Sequence, residues 1–301
     1  MNFLRFLLRG RNGASKKDQE SRSGPNCFLK LPEDVICNIL CRLGAYEILK
    51  NAQRVCSSWR NICKDPSMWR FVDMKHLGDD DKYLKAMCRL AVDKSKGQLT
   101  ELHIDRFATD ELLHYISERS SKLRCLLIRN CQGVGNDGLI AVAKKCHLLE
   151  DLHLVHIINA HNSIQAIGQS CPNLKSFTFT DCMNIYDTCN VNYVPLAIAE
   201  SMTGLRHLRL VGDFMTKKGM EAILDGCPNL ESLDIRRCIF VQGEIVDMIA
   251  KKIKDFKRPN DRVERCDYEA GIVNCVDTLV DHSREDYSED YGQDYSSEES
   301  D

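Results

Sequence analysis

The sequence predicts an α/β chain: a short helical module, then a solenoid of about six to seven strand–helix repeats, with disordered ends. Three observations predict it. Leu31 to Trp69 carries more helically spaced apolar residues than about forty residues can hide by themselves. The pattern Leu-x-x-Leu-x-Leu, with conservative swaps, then occurs six times, its starts separated by 24, 26, 25, 31 and 25 residues. Cysteines recur in phase with it. Cys146, Cys171 and Cys227 each stand three positions before a first leucine, and Cys131, Cys182 and Cys238 eight positions after one. The boundaries that follow are a leader over 1–28, the helical module over 29–70, the repeats over 71–257 and a C-terminal segment over 258–301.

Residues 1–28 begin with an apolar cluster broken by Arg5 and closed by Arg9, too interrupted for a secretory core. They read as a disordered leader passing into a linker rich in Gly, Ser, Lys and Asn, the alternative being a transit peptide or weak membrane-surface helix, since Phe3, Leu4, Phe6, Leu7 and Leu8 sit beside arginines. In the helical module Pro32 suits a first turn, where its missing N–H costs nothing, and Glu33 and Asp34 favour that positive helix end. Val35, Ile36, Ile39, Leu40 and Leu43 recur at helical spacing until Gly44 stops the run. Ile48, Leu49, Ala52, Val55, Cys56 and Trp59 share the face of a second helix, Asp65-Pro66 breaks it, and Trp69 closes the segment.

Those residues carry a resemblance. Leu31-Pro32-Glu33-Asp34, the spaced leucines, Val55-Cys56-x-x-Trp59 and Asp65-Pro66-x-x-Trp69 are similar to an F-box, the module that docks on the Skp-type adaptor of SCF ubiquitin ligases. The resemblance implies that Leu31, Pro32, Val35, Ile36, Leu40, Leu43 and Leu49 pack on that adaptor, and through it reach cullin and RING subunits.

The repeats begin at Leu99, Leu123, Leu149, Leu174, Leu205 and Leu230, and Trp69, Val72 and Met74 fit the same spacing as a degenerate first strand. The period is that of leucine-rich repeats, with about six residues inserted between Leu174 and Leu205. Helical stretches lie between strands, and EIVDMIAKKIKDF from Glu244 reads as the closing helix. One strand–helix unit has nowhere to bury its apolar face, so neighbours must stack. In each pattern the leucines point inward and the residues between them line the concave face. The central column is then His103, Leu127, His153, Thr178, Arg209 and Asp234. One flank is Glu101, Cys125, Asp151, Ser176, His207 and Ser232; the other is Asp105, Arg129, Val155, Thr180, Val211 and Arg236. Tyr186 and Tyr193, on the inserted loop, join the central column as candidate contacts for a target protein of unknown identity.

Composition narrows the function class. The chain has 301 residues, 43% hydrophobic and 28% charged, without an apolar run near the ~20 residues that span a bilayer. Residues 281–301 hold nine acids against Arg284, a net of −8, so the overall −3 leaves +5 on the other 280 residues. That charge is too mild to argue for nucleic-acid binding, and the lack of a spanning run argues against a membrane. Sixteen cysteines occur without one Cys-x-x-Cys, and they read as reduced thiols filling small buried positions. No phosphate loop, nucleophile elbow or zinc helix is present. His153, His156, Asp151 and His161 form the metal-like cluster of the sequence, but strand alternation sets Asp151 and His153 apart from His156. The expectation is no cofactor, no metal and no catalytic residue. The resemblance implies a non-catalytic substrate-recognition subunit of an SCF ligase in the cytoplasm, the nucleus or both. The alternative is a leucine-rich-repeat scaffold that binds its partner without promoting degradation.

Overall fold

A computed structural model describes residues 32–75, 80–158, 160–180 and 191–262. Leader, acidic tail, Leu31 and Tyr186 lie outside them.

The chain enters through helix α1 (Glu33–Lys50), kinked at Gly44, whose φ of 78° and ψ of 160° leave the helical region. Glycine adopts that left-handed φ without the clash that a Cβ brings, so the stop read from sequence is a sharp bend between two helical halves. A 3-10 turn (Ala52–Arg54) and α2 (Ser57–Ile62) follow, the latter capped by the Cys56 sulfur accepting from the Trp59 N–H. A second 3-10 turn (Pro66–Trp69) delivers Trp69, fully buried, whose Nε1–H donates to the Cys63 carbonyl at 3.1 Å.

Strand β1 (Phe71–Met74) begins two residues after Trp69 and opens the repeat array. The order is then α3 (Asp81–Ser95), β2 (Glu101–Asp105), α4 (Asp110–Arg119), β3 (Cys125–Arg129), α5 (Asn136–Lys145), β4 (Asp151–Val155) and α6 (Ile164–Ser170). It continues with β5 (Ser176–Thr180), α7 (Tyr193–Ser201), β6 (His207–Leu210), α8 (Lys217–Gly226), β7 (Ser232–Asp234), α9 (Glu244–Lys252) and β8 (Asp255–Lys257). The eight strands form one parallel sheet in chain order. Seven intervals of about 4.8 Å make a ledge of roughly 34 Å.

The register follows the leucine pattern. Val72, Leu102, Leu126, Leu152, Phe177, Leu208, Leu233 and Phe256 stand side by side across the sheet. A parallel row runs Met74, Ile104, Ile128, Leu154, Phe179 and Leu210. All but Phe256 are buried, in one core that continues from Ile36 in α1 to Ile253 after α9. A shared core of this kind is what lets units that are unstable alone stand together.

Each repeat is tied to the one before it in the same way. The carbonyl of Arg70 accepts both Thr100 and Glu101 N–H, that of Thr100 accepts Arg124 and Cys125, and that of Arg124 accepts Glu150 and Asp151. The cysteines three positions before the leucines add a second tie: Cys146 Sγ donates to Ser120 O at 3.5 Å and Cys227 Sγ to Met202 O at 3.5 Å. These carbonyls close the preceding helices, where backbone acceptors lack helical partners. At eight positions after the leucine, Cys131 donates to Arg129 O and Cys238 to Leu210 O. Burial pushes the Cys131 and Cys146 thiols up to about 12 and Cys227 to about 11, so these sulfurs are structural. Close helix stacking sets a further demand at Gly226, where a Cβ would sit 2.3 Å from the Ala199 carbonyl oxygen.

Three sequence expectations are corrected. The stretch from Glu244 is not helical through Phe256: the chain turns extended at Ile253 (φ −112°, ψ 119°) and adds β8 to the sheet. Ile249, Ile253 and Phe256 satisfy a helical period, but pairing with β7 claims the end of the run. Tyr193 is not on a loop; it opens α7 and packs half-buried on the core. Finally, Asp105, Arg129, Val155, Thr180, Val211 and Arg236 are buried rather than lining the concave face. For all of them but Thr180 the cause is a left-handed residue directly after: Arg106 (φ 77°), Asn130 (54°), His156 (57°), Gly212 (75°) and Arg237 (66°). That turn folds the outgoing chain back over the strand end, and each costs a non-glycine residue on the order of 1 kcal/mol. Hydrogen bonds repay it, such as Asn130 N–H to Val155 O at 2.9 Å and His156 N–H to Thr180 O at 2.8 Å.

Candidate functional site: the N-terminal helix and the concave face

The first surface is the outer side of α1. Its apolar residues divide between two directions. Ile36 and Leu40, at 2% and 0% exposure, point into the core of the chain itself, beside Ala45 and Ile48. Pro32 and Val35 are exposed, Val35 at 37%, while Leu43 and Leu49 are half-buried at the core's margin. A partner docked on this module therefore meets Pro32, Val35 and the outer edges of Leu43 and Leu49. Ile36 and Leu40 have their apolar surface already engaged within the chain. Cys41 and Arg42 border the same face. Behind it, Cys37 Sγ lies 3.1 Å from Met68 Sδ, and burial is the main cause that pushes the Cys37 thiol up.

The second surface is the concave face. His103, Leu127, His153, Thr178, Arg209 and Asp234 stand in one row, partner by partner, and the row extends to Asp73 at one end and Lys257 at the other. Not all of it is open. Thr178 at 6% and Asp234 at 3% exposure have little surface to offer. The Thr178 hydroxyl lies 2.9 Å from His153 Nδ1. Asp234 is held by Arg236, whose Nε and Nη2 donate at 2.9 and 2.7 Å, and by Arg209 Nε at 3.1 Å. His103, Leu127, His153 and Arg209 remain partly accessible, as do Cys125 and Ser176 beside them.

The two ends of the face differ in charge. Toward β1 stand Asp73 and Glu101, with Lys75 Nζ 3.3 Å from Asp73, and Asp151 follows on β4 beside Cys125. Burial favours the neutral Asp73 acid, but the His103 imidazole beside it, the Lys75 backbone N–H at 3.0 Å and the Lys75 ammonium outweigh it and bring the group down to about 2. Toward β8 a cavity of about 190 Å³ opens between His153, Thr178, His207, Arg209, Asp234 and Lys257. His153 is pushed down to about 4 by burial first, then by the charges of Arg209 and His103, so it is neutral at pH 7.

The histidine cluster considered from sequence is not brought together. His156 Nδ1 pairs with Asn130 Oδ1 at 2.8 Å, and the His161 ring packs edge-on against Phe179. The structure instead groups Glu101, His103 and Cys125, one ligand atom of each lying within 4.8 Å of the others. Positions 101 and 103 share a strand face, and Cys125 lies one repeat period beyond Glu101. The repeat offset of 24 residues was the signal that finds it; proximity along the chain was not.

Known proteins match the chain over most of its length. A family model described as F-box-like matches residues 28–75. The putative F-box/LRR-repeat protein 23 of Arabidopsis thaliana is 41% identical over 251 residues, 81% of this chain and 55% of its own length. The F-box protein SKIP19 from the same plant is 43% identical over 245 residues, covering 80% of each chain. The putative F-box/LRR-repeat protein 22 is 40% identical over 252 residues, 81% of this chain and 80% of that one.

Proposed function

The chain belongs to the F-box/LRR-repeat proteins, and on that premise we propose that it is the substrate-recognition subunit of an SCF-type ubiquitin ligase. The outer face of α1 docks a Skp-type adaptor, which links the chain to cullin and RING subunits. The concave face holds the target. Ubiquitin transfer is then driven by proximity, with the reacting groups supplied by other subunits, so the role asks for no catalytic residue here.

The observation that supports this reading best is the division of α1. A helix whose inward side is fused to the repeat core still leaves Pro32 and Val35 exposed beside the outer edges of Leu43 and Leu49. An apolar strip on a helix that is already packed suits a second protein.

Co-purification with a Skp-type adaptor tests it. The wild type is expected to form a stoichiometric complex that the Leu31→Ala/Pro32→Ala double variant loses. Failure of the wild type to bind any such adaptor sinks the ligase reading. If the complex forms yet a captured target keeps its lifetime when the chain is removed, the non-degradative scaffold takes its place.

A further inference from the structure

We propose that Glu101, His103 and Cys125 form a metal site on the concave face between β2 and β3, and that the ion it suits is Zn²⁺. The site does not depend on the ubiquitin-ligase reading.

Strand alternation puts Glu101 and His103 on one face, and the sheet register sets Cys125 directly opposite Glu101. One ligand atom from each lies within 4.8 Å of the others, and His103 Nε2 is already 2.9 Å from Glu101 Oε1. Rotation about the Glu101 side chain closes the remaining distance, since coordination needs bonds of about 2.0 to 2.3 Å. The donor set is one thiolate, one imidazole and one carboxylate. Hard cations such as Ca²⁺ and Mg²⁺ take oxygen ligands, whereas Zn²⁺ accepts sulfur, nitrogen and oxygen together.

The surroundings fit the same ion. His103 Nδ1 is buried and makes no hydrogen bond, yet it faces Asp73 Oδ2 at 3.9 Å from the adjacent strand. A metal on Nε2 fixes the proton on Nδ1, which then points at that carboxylate. Zinc histidines are commonly oriented by such a partner. The Phe71 ring meets the imidazole edge-on at 5.3 Å between centroids and holds its plane. Asp73 and Glu101 flank the imidazole and Asp151 stands beside Cys125, so three carboxylates surround the donor set. Coordination replaces the Cys125 S–H bond by S–Zn and releases that proton to solvent. Three protein ligands leave a fourth position open toward the concave side, for water or for a side chain of the bound target.

The full chain, stripped with a chelator and kept reduced, is titrated with Co²⁺ and then with Zn²⁺. The expected result is one Co²⁺ per chain, with thiolate-to-cobalt charge transfer and tetrahedral ligand-field absorption that Zn²⁺ removes. Cys125→Ser loses the charge-transfer band and His103→Gln weakens binding at least tenfold. Asp73→Asn weakens it by about tenfold without changing the spectrum. Cys41→Ser, an exposed thiol elsewhere, changes nothing. Circular dichroism checks that each variant is folded. Should Cys125→Ser not fold, mass-mapped alkylation of the wild type decides: Zn²⁺ is expected to protect Cys125. Absence of stoichiometric metal, a charge-transfer band that survives in folded Cys125→Ser, or Cys125 alkylation unchanged by Zn²⁺ overturns the site.

Discussion

Arg129 Nη2 donates to Asp105 Oδ2 at 3.0 Å across the β2–β3 boundary, with both side chains almost completely buried. Asn130 Nδ2 donates to the other carboxylate oxygen at 3.1 Å. A buried ion pair is poor evidence of net stability, because desolvating both charges consumes most of what their attraction returns. Breaking it is another matter. Arg129→Ala is expected to cost about 3 kcal/mol in urea unfolding, and the Asp105→Ala/Arg129→Ala pair clearly less than the two single losses added.

The same carboxylate has a pH signature. Burial raises its pKa, but hydrogen bonds from Arg129 and Asn130 outweigh that and leave it lowered. A group held below its unfolded value contributes stability above that value, about 3.9, and loses it as pH falls through the folded pKa. Acid unfolding below about pH 4 is expected to flatten in Asp105→Asn relative to the wild type.

His153 acts in a higher window. Its folded pKa of about 4 lies below the ordinary histidine value of 6.5, so the folded state binds fewer protons than the unfolded chain between those pH values. Stability from this group is complete above pH 6.5 and is lost as pH falls toward about 4. A proton-detected titration of the ring is expected to show no change down to about pH 5. His153→Gln should remove that part of the slope.

Two neighbours on α1 separate docking from folding. Val35→Asp places charge on exposed surface and is expected to leave the melting temperature nearly unchanged while abolishing adaptor capture. Ile36→Asp buries an unpaired carboxylate and is expected to unfold the helical module outright. Equal effects of the two on melting would contradict the division of the helix described above.

Thiol labelling reads the repeat register directly. Under native, reducing conditions Cys41 is expected to alkylate quickly, while Cys88, Cys131, Cys146, Cys171, Cys227 and Cys238 react only after denaturant is added. Mass mapping of each peptide checks the order.

How much of this was legible beforehand depends on which force decides a position. Where apolar burial decides, sequence sufficed: Leu102, Leu126, Leu152, Phe177 and Leu208 are neighbours in the sheet because their spacing allows one inward face. The row from His103 to Asp234 follows as the opposite set. Where a backbone turn decides, sequence was mute. Arg106, His156 and Arg237 adopt a left-handed conformation that their side chains disfavour, so nothing in their identity announces the turn that buries Asp105, Val155 and Arg236. Ile253 failed for a third reason, since apolar residues at 249, 253 and 256 satisfy a helix and a terminal strand alike. Glu101, His103 and Cys125 needed the sheet register, which only the repeat period carries.

The direct passage from Trp69 into β1 also sets the mechanics of the chain. Arg70, between them, accepts Thr100 and Glu101 through its carbonyl, so the segment that leaves the helical module is itself the first rung of the sheet. A single residue separates Trp69 from β1. The row of strands is a lever arm of roughly 34 Å joined to its pivot by that hydrogen-bonded segment, and a small tilt of α1 on a docked partner sweeps the far end by a proportionate distance. Reach is set by the number of repeats, aim by the seating of one helix.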